Sequence, residues 1–445
     1  MEKKYRIIYQ SYEGGSKNKI LSEEILMDGD IKIPTNCYDL SMEFQEQIGL
    51  IQHAQDCLIN DKAILINSSS KECPKCAKKL TKFGKHKSVL HDVLTDHKLS
   101  IRRLRCKGCG HEEPSTVQKI IKTDETGDLQ RIQSVLGSKF TYRVGKQIME
   151  LFSMKNRRVN NHERIKTVTD AIGKGVGDIL EAEKDVLKIQ ESKTLIVAVD
   201  GGHVKTTEEG KRSIEAMTSV VYKPESIETT KSDTRNHLTS KNCAASVKDD
   251  NQEEIISGTI IAALKQGLTS KTHIHALCDG AKNCWSVVES LRGFCGEMTC
   301  ILDWFHITMK MQNISLPGDI KKVILESVKW HLWRGNTEEA INKLDELVAQ
   351  KLDAKNRDKI IKFKNYISNN ADKIVNYDLR KKEGLVFTSN LAESTVESLI
   401  NQRCKGHQHM RWSREGLNPI LQLRAAINNQ CDWESKIKTA ILNVA

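Results

Sequence analysis

The chain has 445 residues, 38% of them hydrophobic and 29% charged, with 69 basic against 58 acidic side chains and a formal net charge of +11. That length holds roughly two to four domains, each able to bury its own core. No apolar stretch approaches the roughly 18 residues of a membrane span, and MEKKYRIIYQSYEGG lacks the apolar run of a secretory signal. Thirteen cysteines, an odd number without such a signal, argue against a disulfide framework. The basic balance favours a polyanionic partner, so a cytoplasmic, nucleoid-associated protein is expected.

Residues 1–72 form an N-terminal module with strand-like YRIIYQ and ILM. A helix is predicted over Ser41–Ile59, where Phe44, Ile48, Ile51 and Leu58 recur at helical spacing. No residue in this module carries a recognisable chemistry. Residues 73–114 carry a strong motif. Cys73-Pro-Lys-Cys76 and Cys106-Lys-Gly-Cys109 can give four thiolates to a tetrahedral zinc, with Gly108 and Gly110 easing the knuckle turns. The segment between them reads as a hairpin, so the whole is a zinc ribbon. Arg102, Arg103 and Arg105, with Lys79, Lys82, Lys85 and Lys87, suit phosphate contact; a solvated charged face is the plain alternative.

Residues 115–191 are predicted helical over Leu129–Leu136, Tyr142–Phe152 and Ile165–Lys188. Helix, polar turn and helix suggest a helix-turn-helix-like DNA-binding region that brings Arg157, Arg158 and Arg164 near a DNA backbone. Helical hairpins without that role share the same pattern.

In residues 192–310 strands and helices alternate. Leu195-Ile196-Val197-Ala198-Val199 reads as a strand buried on both faces. It ends in Asp200, with Gly201-Gly202 turning the chain. Taken alone, strand-Asp-Gly-Gly is common turn chemistry. RSIEAMTSVVY and KNCAASV read as further strands, followed by a helix over Gln252–Gln266. The strand THIHALC ends in Asp279, a helix covers Asn283–Arg292, and the strand MTCIL ends in Asp303-Trp-Phe-His306. Three hairpin-type strands and then strand-helix-strand-helix match a ribonuclease-H-like mixed sheet.

Residues 311–388 read as a helical insertion in which Trp330, Trp333, Tyr366 and Tyr377 form a core in preference to stacking platforms. In residues 389–445, a helix opening at TSNLAESTVES carries Glu393. The basic QRCKGHQHMRWSREG that follows, with Arg403, Lys405, Arg411 and Trp412, suits a DNA strand.

VDGGHV, CDGA, ILDWFHITMK, KWHLWRGN, YISNN, LAESTVES and MRW together resemble the ISKra-type insertion-sequence transposases. These are DDE enzymes with a ribonuclease-H-like core, similar in layout to Mutator-like enzymes. The resemblance runs from about Cys73 to the C-terminus. It implies metal-dependent cleavage and strand transfer of insertion-sequence DNA ends, with Asp200, Asp279 and Glu393 as the acidic triad. Two Mg2+ (or Mn2+) ions would be held with Asp200 between them. It also implies double-stranded DNA as partner, both element ends and target, and a homodimer or higher synaptic assembly. Asp303 and His306 are assigned a supporting role, and Glu397, one helical turn from Glu393, is a neighbour on the same face. A catalytically inactive zinc-ribbon regulator and a nuclease that cuts without joining are the competing readings.

Overall fold

The computed structural model describes residues 3–14, 19–68, 72–113, 120, 123–153, 157–182, 190–229, 236–314, 316, 319–350, 352–405, 410–429 and 432–444. It divides into two compact units, one of residues 1–168 with 441–445 and one of residues 169–440.

In the first unit, β1 (Lys3–Tyr12) and β2 (Ile20–Ile31) pair as an antiparallel hairpin. Helix α1 (Phe44–Ser68) runs further than the predicted Ser41–Ile59 and sets Ile59 against Leu90, Leu99 and Ile101. Those three residues lie on β3 (Leu80–His91) and β4 (Asp96–Cys106), which form a three-stranded antiparallel sheet with β5 (Glu112–Glu113). The predicted ribbon hairpin is therefore present. Helices α2 (Gly127–Lys139) and α3 (Tyr142–Phe152) start where Thr126 and Thr141 cap the third following N–H. Helix α4 (His162–Ala182) brings Ile165 to Leu129, Met149 and Val159. All three begin near their predicted positions; the end of the third prediction, from 183 on, lies outside the described residues.

The second unit is a mixed α/β structure around a five-stranded sheet. Its strands are β6 (Thr194–Lys205), β7 (Ser213–Tyr222), β10 (Asn242–Ser246), β11 (His273–Cys278) and β12 (Glu297–Leu302), in the order β10-β7-β6-β11-β12. A short side hairpin, β8 (Ile227–Thr229) and β9 (Asn236–Leu238), lies outside that sheet. β10, β7 and β6 run antiparallel to their neighbours, whereas β6, β11 and β12 are mutually parallel. Helix α5 (Glu253–Lys265) carries the chain from β10 to β11, and α6 (Lys282–Glu289) from β11 to β12. Leu195, Ile196, Val197, Ile274, Ala276 and Leu277 are at most 1% exposed, which explains the unbroken apolar runs of the central strands. Truncating Ile274 to alanine there would cost about 2–5 kcal/mol.

One expectation is corrected here. Asp200 does not end its strand, and Gly201-Gly202 do not turn the chain: β6 continues to Lys205, paired with β7 throughout. What ends is the neighbour, since β11 stops at Cys278, opposite Val199. From Asp200 onward β6 has lost its parallel partner, so the sheet opens beside that carboxylate. Both glycines instead lie under the tips of neighbouring side chains. A Cβ on Gly201 would lie 2.5 Å from Glu215, and one on Gly202 3.1 Å from Ile400.

Beyond β12, α7 (Trp304–Gln312) leads to the helices α8 (Asp319–Trp333), α9 (Thr337–Ala349), α10 (Ala354–Asn369) and α11 (Tyr377–Lys382). The insertion is not a separate core. Tyr377 and Trp333 pack with Trp304 and Phe387, Tyr377 donates to the Leu302 carbonyl at 2.7 Å, and Trp330 is 50% exposed. Helix α12 (Asn390–Val396) widens into a π-helix over Glu397–Lys405, followed by α13 (Arg414–Asn428) and α14 (Trp433–Val444). The edge strand β10 is covered by α13, whose Asn418 and Asn429 accept from Val247 and Cys243 N–H while Gln422 donates to the Ala245 carbonyl. Side-chain amides here take the place of a sixth strand. Among the described residues no helix is long and apolar enough to cross a membrane.

Candidate active site and metal centre

The ribbon cysteines converge. Sulfur separations are 3.5 Å for Cys73–Cys109, 3.4 Å for Cys76–Cys106 and 3.6 Å for Cys76–Cys109. Four sulfurs about 2.3 Å from a tetrahedral zinc stand about 3.8 Å apart, so the donor set fits that ion. Backbone N–H groups of Cys109 and Gly108 pull the Cys106 thiol down to about 6, favouring the thiolate a metal needs. The two knuckles are alike in shape but not in sequence. The residue after each pair is left-handed: Gly110 at φ 73° in the second, and Ala77 at φ 55° in the first. Gly108 and Gly110 therefore both serve the second knuckle, and the first holds its turn with an alanine.

The second cluster is built by the sheet. Asp200 from β6, Asp279 directly after β11, Asp303 directly after β12, His306 on α7, and Ser389 and Glu393 at the start of α12 line one small recess. Asp200 and Asp279 each accept one backbone N–H through Oδ1, from Gly201 and Ala281 at 2.8 Å. Glu393 is exposed. Gly280 takes φ 92°, and a Cβ there would lie 2.6 Å from the Tyr366 ring. CDGA therefore admits only glycine at its third position. Tyr366 donates to the Asp279 carbonyl at 2.8 Å, and Trp285 donates to Asn370 at 3.0 Å. YISNN thus anchors the insertion beside the acids.

Asp303 is fully buried, and all its acceptor capacity is used within the protein. Its Oδ1 takes the N–H of Phe305 and of Ser389, and its Oδ2 takes His306 Nδ1 at 2.7 Å and the Ser389 hydroxyl. It therefore ties β12 to the start of α12 and fixes the His306 ring. Burial opposes its charge, but these hydrogen bonds hold its carboxyl below the usual range. Burial likewise opposes the imidazolium of His306, while Asp303, then Asp200 and Asp279, hold it above its ordinary value. Burial pushes Asp200 up, aided by Asp279 and Asp303 and resisted by His306. Ser389 was missed in the sequence; its position just before a helix fitted an ordinary cap.

Several expected DNA contacts lie elsewhere. Arg157 is buried and spends its guanidinium on the β3–β4 turn, donating to the carbonyls of Asp92, Val93 and Thr95 and to Asp96. The expectation of a DNA arm at Arg157 is corrected: it closes the ribbon hairpin. Arg403 and Trp412 are also corrected. Both are buried, the guanidinium 4.9 Å from the ring centre, with Trp412 donating to the Cys404 carbonyl. Trp412 joins the end of β6 by exchanging backbone bonds with Lys205 and Thr207. Arg164 is half-buried on Glu125, and Arg158, Lys405 and Arg411 are exposed. On the ribbon Arg103 pairs with Glu112, and both Arg103 and Arg105 flank the exposed Phe83 ring; Arg102 is half-buried. Residues 406–409 of the basic C-terminal stretch lie outside the described residues.

A family model described as an uncharacterised protein family, UPF0236, matches residues 141–438. The chain belongs to this family. The match covers every acid of the recess and every segment that anchors the insertion, and it begins beyond the four ribbon cysteines. Comparison with curated proteins gives no match.

Among the described residues, two groups of His, Cys, Asp or Glu bring ligand atoms within 4.8 Å of one another. They are the four ribbon cysteines, and Glu24 with His53 and Cys57. The recess acids are not drawn to one such point. Three carboxylates around one recess make an all-oxygen donor set, whose chemistry fits magnesium or manganese.

Proposed function

We propose that the protein is a DDE-type transposase with a ribonuclease-H-like core, cutting insertion-sequence DNA ends and joining them to a target. The observation that carries this reading is the meeting of Asp200, Asp279 and Glu393, far apart in sequence, in one recess at the open edge of the sheet. The strand order and the alternation of antiparallel and parallel pairing are those expected of such a core. The likeness of VDGGHV, CDGA, ILDWFHITMK and LAESTVES to ISKra-type transposases supports it further.

Asp200, Asp279 and Glu393 would hold two divalent ions, which when bound polarise the scissile phosphate and the attacking and leaving oxygens. Asp200, which lines the recess with the other two acids, would serve both. Asp303 favours the imidazolium of His306, which would offset the charge of the crowded acids. Tyr366 fixes the backbone that carries Asp279. The exposed Arg103, Arg105, Arg158, Lys405 and Arg411 remain for the DNA backbone, and synapsis of two element ends calls for a dimer or higher assembly.

The test is incubation of a labelled duplex, bearing the DNA that borders the gene, with the protein and Mg2+ or Mn2+. Cutting at the element end and joining to a second duplex is expected, with both lost in Asp200→Ala. Cutting without joining would leave the nuclease reading. Binding without cutting in either metal would leave the regulator.

A further inference from the structure

The N-terminal unit holds a second group of metal-type ligands that the ribbon does not use. On α1, His53 and Cys57 are four residues apart and so share a face. On β2, Glu24 lies two residues before Leu26, which is left unpaired at a bulge in the β1–β2 hairpin. His53 Nδ1 lies 3.2 Å from the Leu26 carbonyl, and its Nε2 lies 3.5 Å from Glu24 Oε2. Cys57 Sγ lies 3.9 Å from that same oxygen.

These separations can be set against a tetrahedral ion. Bonds of about 2.0–2.1 Å to nitrogen and oxygen and about 2.3 Å to sulfur place N and O about 3.3 Å apart, and S and O about 3.5 Å apart. The two separations to Glu24 need to close by only a few tenths of an ångström, and all three ligand atoms already lie within 4.8 Å of one another. The Leu26 carbonyl supplies what a metal-bound imidazole usually has, an acceptor on its other nitrogen that fixes the ring and the tautomer. A thiolate and a carboxylate would neutralise a divalent charge. Asp56 and Asp61 line the adjoining hollow and favour a cation over an anion. A mixed sulfur, nitrogen and oxygen set selects zinc-class ions over magnesium or calcium.

We infer that Glu24, His53 and Cys57 form a second transition-metal site, separate from the ribbon, that takes a zinc-class ion with one position open to water. Binding removes the thiol proton of Cys57 to solvent and clasps β2 to α1. The site does not depend on the transposase reading.

The experiment uses the full-length protein, first loaded with zinc and freed of excess. Elemental analysis is expected to give two zinc per chain, falling to one in His53→Ala and in Cys57→Ser, with the ribbon's zinc retained. Because those variants could disturb folding, Glu24→Gln at the exposed carboxylate provides a second measurement. Zinc should slow alkylation of Cys57 in the unaltered protein and do so far less in Glu24→Gln. The loss of affinity should reach at least the about 10–100-fold typical of groups one shell further from a metal. One zinc per chain in the unaltered protein, or alkylation of Cys57 at the same rate with and without zinc, overturns the inference.

Discussion

In the ribbon, four thiolates come from two knuckles of one hairpin, their sulfurs 3.4 to 3.6 Å apart. In the recess, three carboxylates come from β6, β11 and α12, and they stay apart. The first set owes its shape to local chain geometry and is already drawn to one point that an ion could fill. The second is carried by a sheet whose central strands are almost wholly buried, so its shape does not depend on an ion. Metal should therefore be part of the fold in one region and part of the chemistry alone in the other.

The largest effect should come from the acids. On the proposed function Asp200, Asp279 and Glu393 hold the metals, so changing any of them to Ala should cost several kcal/mol in transition-state stabilisation. At about 1.36 kcal/mol per decade, cleavage should fall by about a thousandfold or more. End binding and the thermal transition should stay nearly unchanged. A variant that melts early would break the comparison, because the recess would then be holding the sheet together.

Next come the cysteines. Cys73→Ser or Cys106→Ser should lose one equivalent of zinc and the exchange protection of β3 and β4, while β6 and β11 stay protected. Hydrogen exchange read by mass spectrometry checks this. Loss of protection throughout the chain would mean that the two units do not fold independently.

The contrast also explains what the sequence disclosed. CxxC pairs are legible because sulfur ligands sit at fixed local spacing. The strands were legible because burial on both faces leaves apolar runs such as LIVAV. The place of Asp200 within its strand was hidden, since what opens the sheet there is the end of β11, nearly eighty residues on. The roles of Arg157, Arg403 and Trp412 were hidden for a related reason. Composition marks them as DNA-binding residues, and only tertiary partners such as the Thr95 and Cys404 carbonyls show them to be internal. Ser389 could have been suspected only by knowing that Asp303 is buried and needs donors.

Asp303→Asn comes third. The amide keeps the shape but cannot accept as the carboxylate does from His306, so cleavage should drop by about 10–100-fold, as for groups that orient metal ligands. The pH profile should change as well, since His306 loses the partner that raises it above its ordinary value. A thousandfold loss would place Asp303 on the metals instead.

The fourth prediction asks whether the ribbon hairpin has an anchor besides its metal. His97 on β4 is buried, 2.7 Å from Asp56 and 3.9 Å from Asp92. Burial opposes its charge, but the nearby Asp92 carboxylate and the hydrogen bond to Asp56 raise it above the ordinary 6.5. Asp92 is held below 3.8, chiefly by His97. A raised imidazolium stabilises fully below 6.5 and is lost as pH climbs through the folded value. A depressed carboxyl stabilises above 3.8 and is lost as pH falls through its folded value. The hairpin should therefore be most protected on the mildly acidic side of neutrality. Exchange of β4 amides, corrected for intrinsic rate, should show this optimum in the unaltered protein and lose its alkaline limb in His97→Gln.

The smallest effect should be at Glu397. In a regular helix Glu393 and Glu397 would stand one turn apart on one face, and either could serve the metals. The helix instead widens into a π-helix at Glu397, a change often found at functional sites. The widened turns are held by the buried Arg424, which donates to the Ser398 and Leu399 carbonyls, and by Ser398, whose hydroxyl bonds Asn428. Glu393 lines the recess, whereas Glu397 does not line it and accepts from Asn401 on the exposed side. Glu397→Ala should therefore change cleavage by no more than about 0.5 kcal/mol, as for surface positions generally. That is a factor of little more than two in the labelled-end assay. If Glu397→Ala is dead and Glu393→Ala cuts normally, the helix presents the other carboxylate when DNA is bound, and the π-helix is the element that shifts to do so.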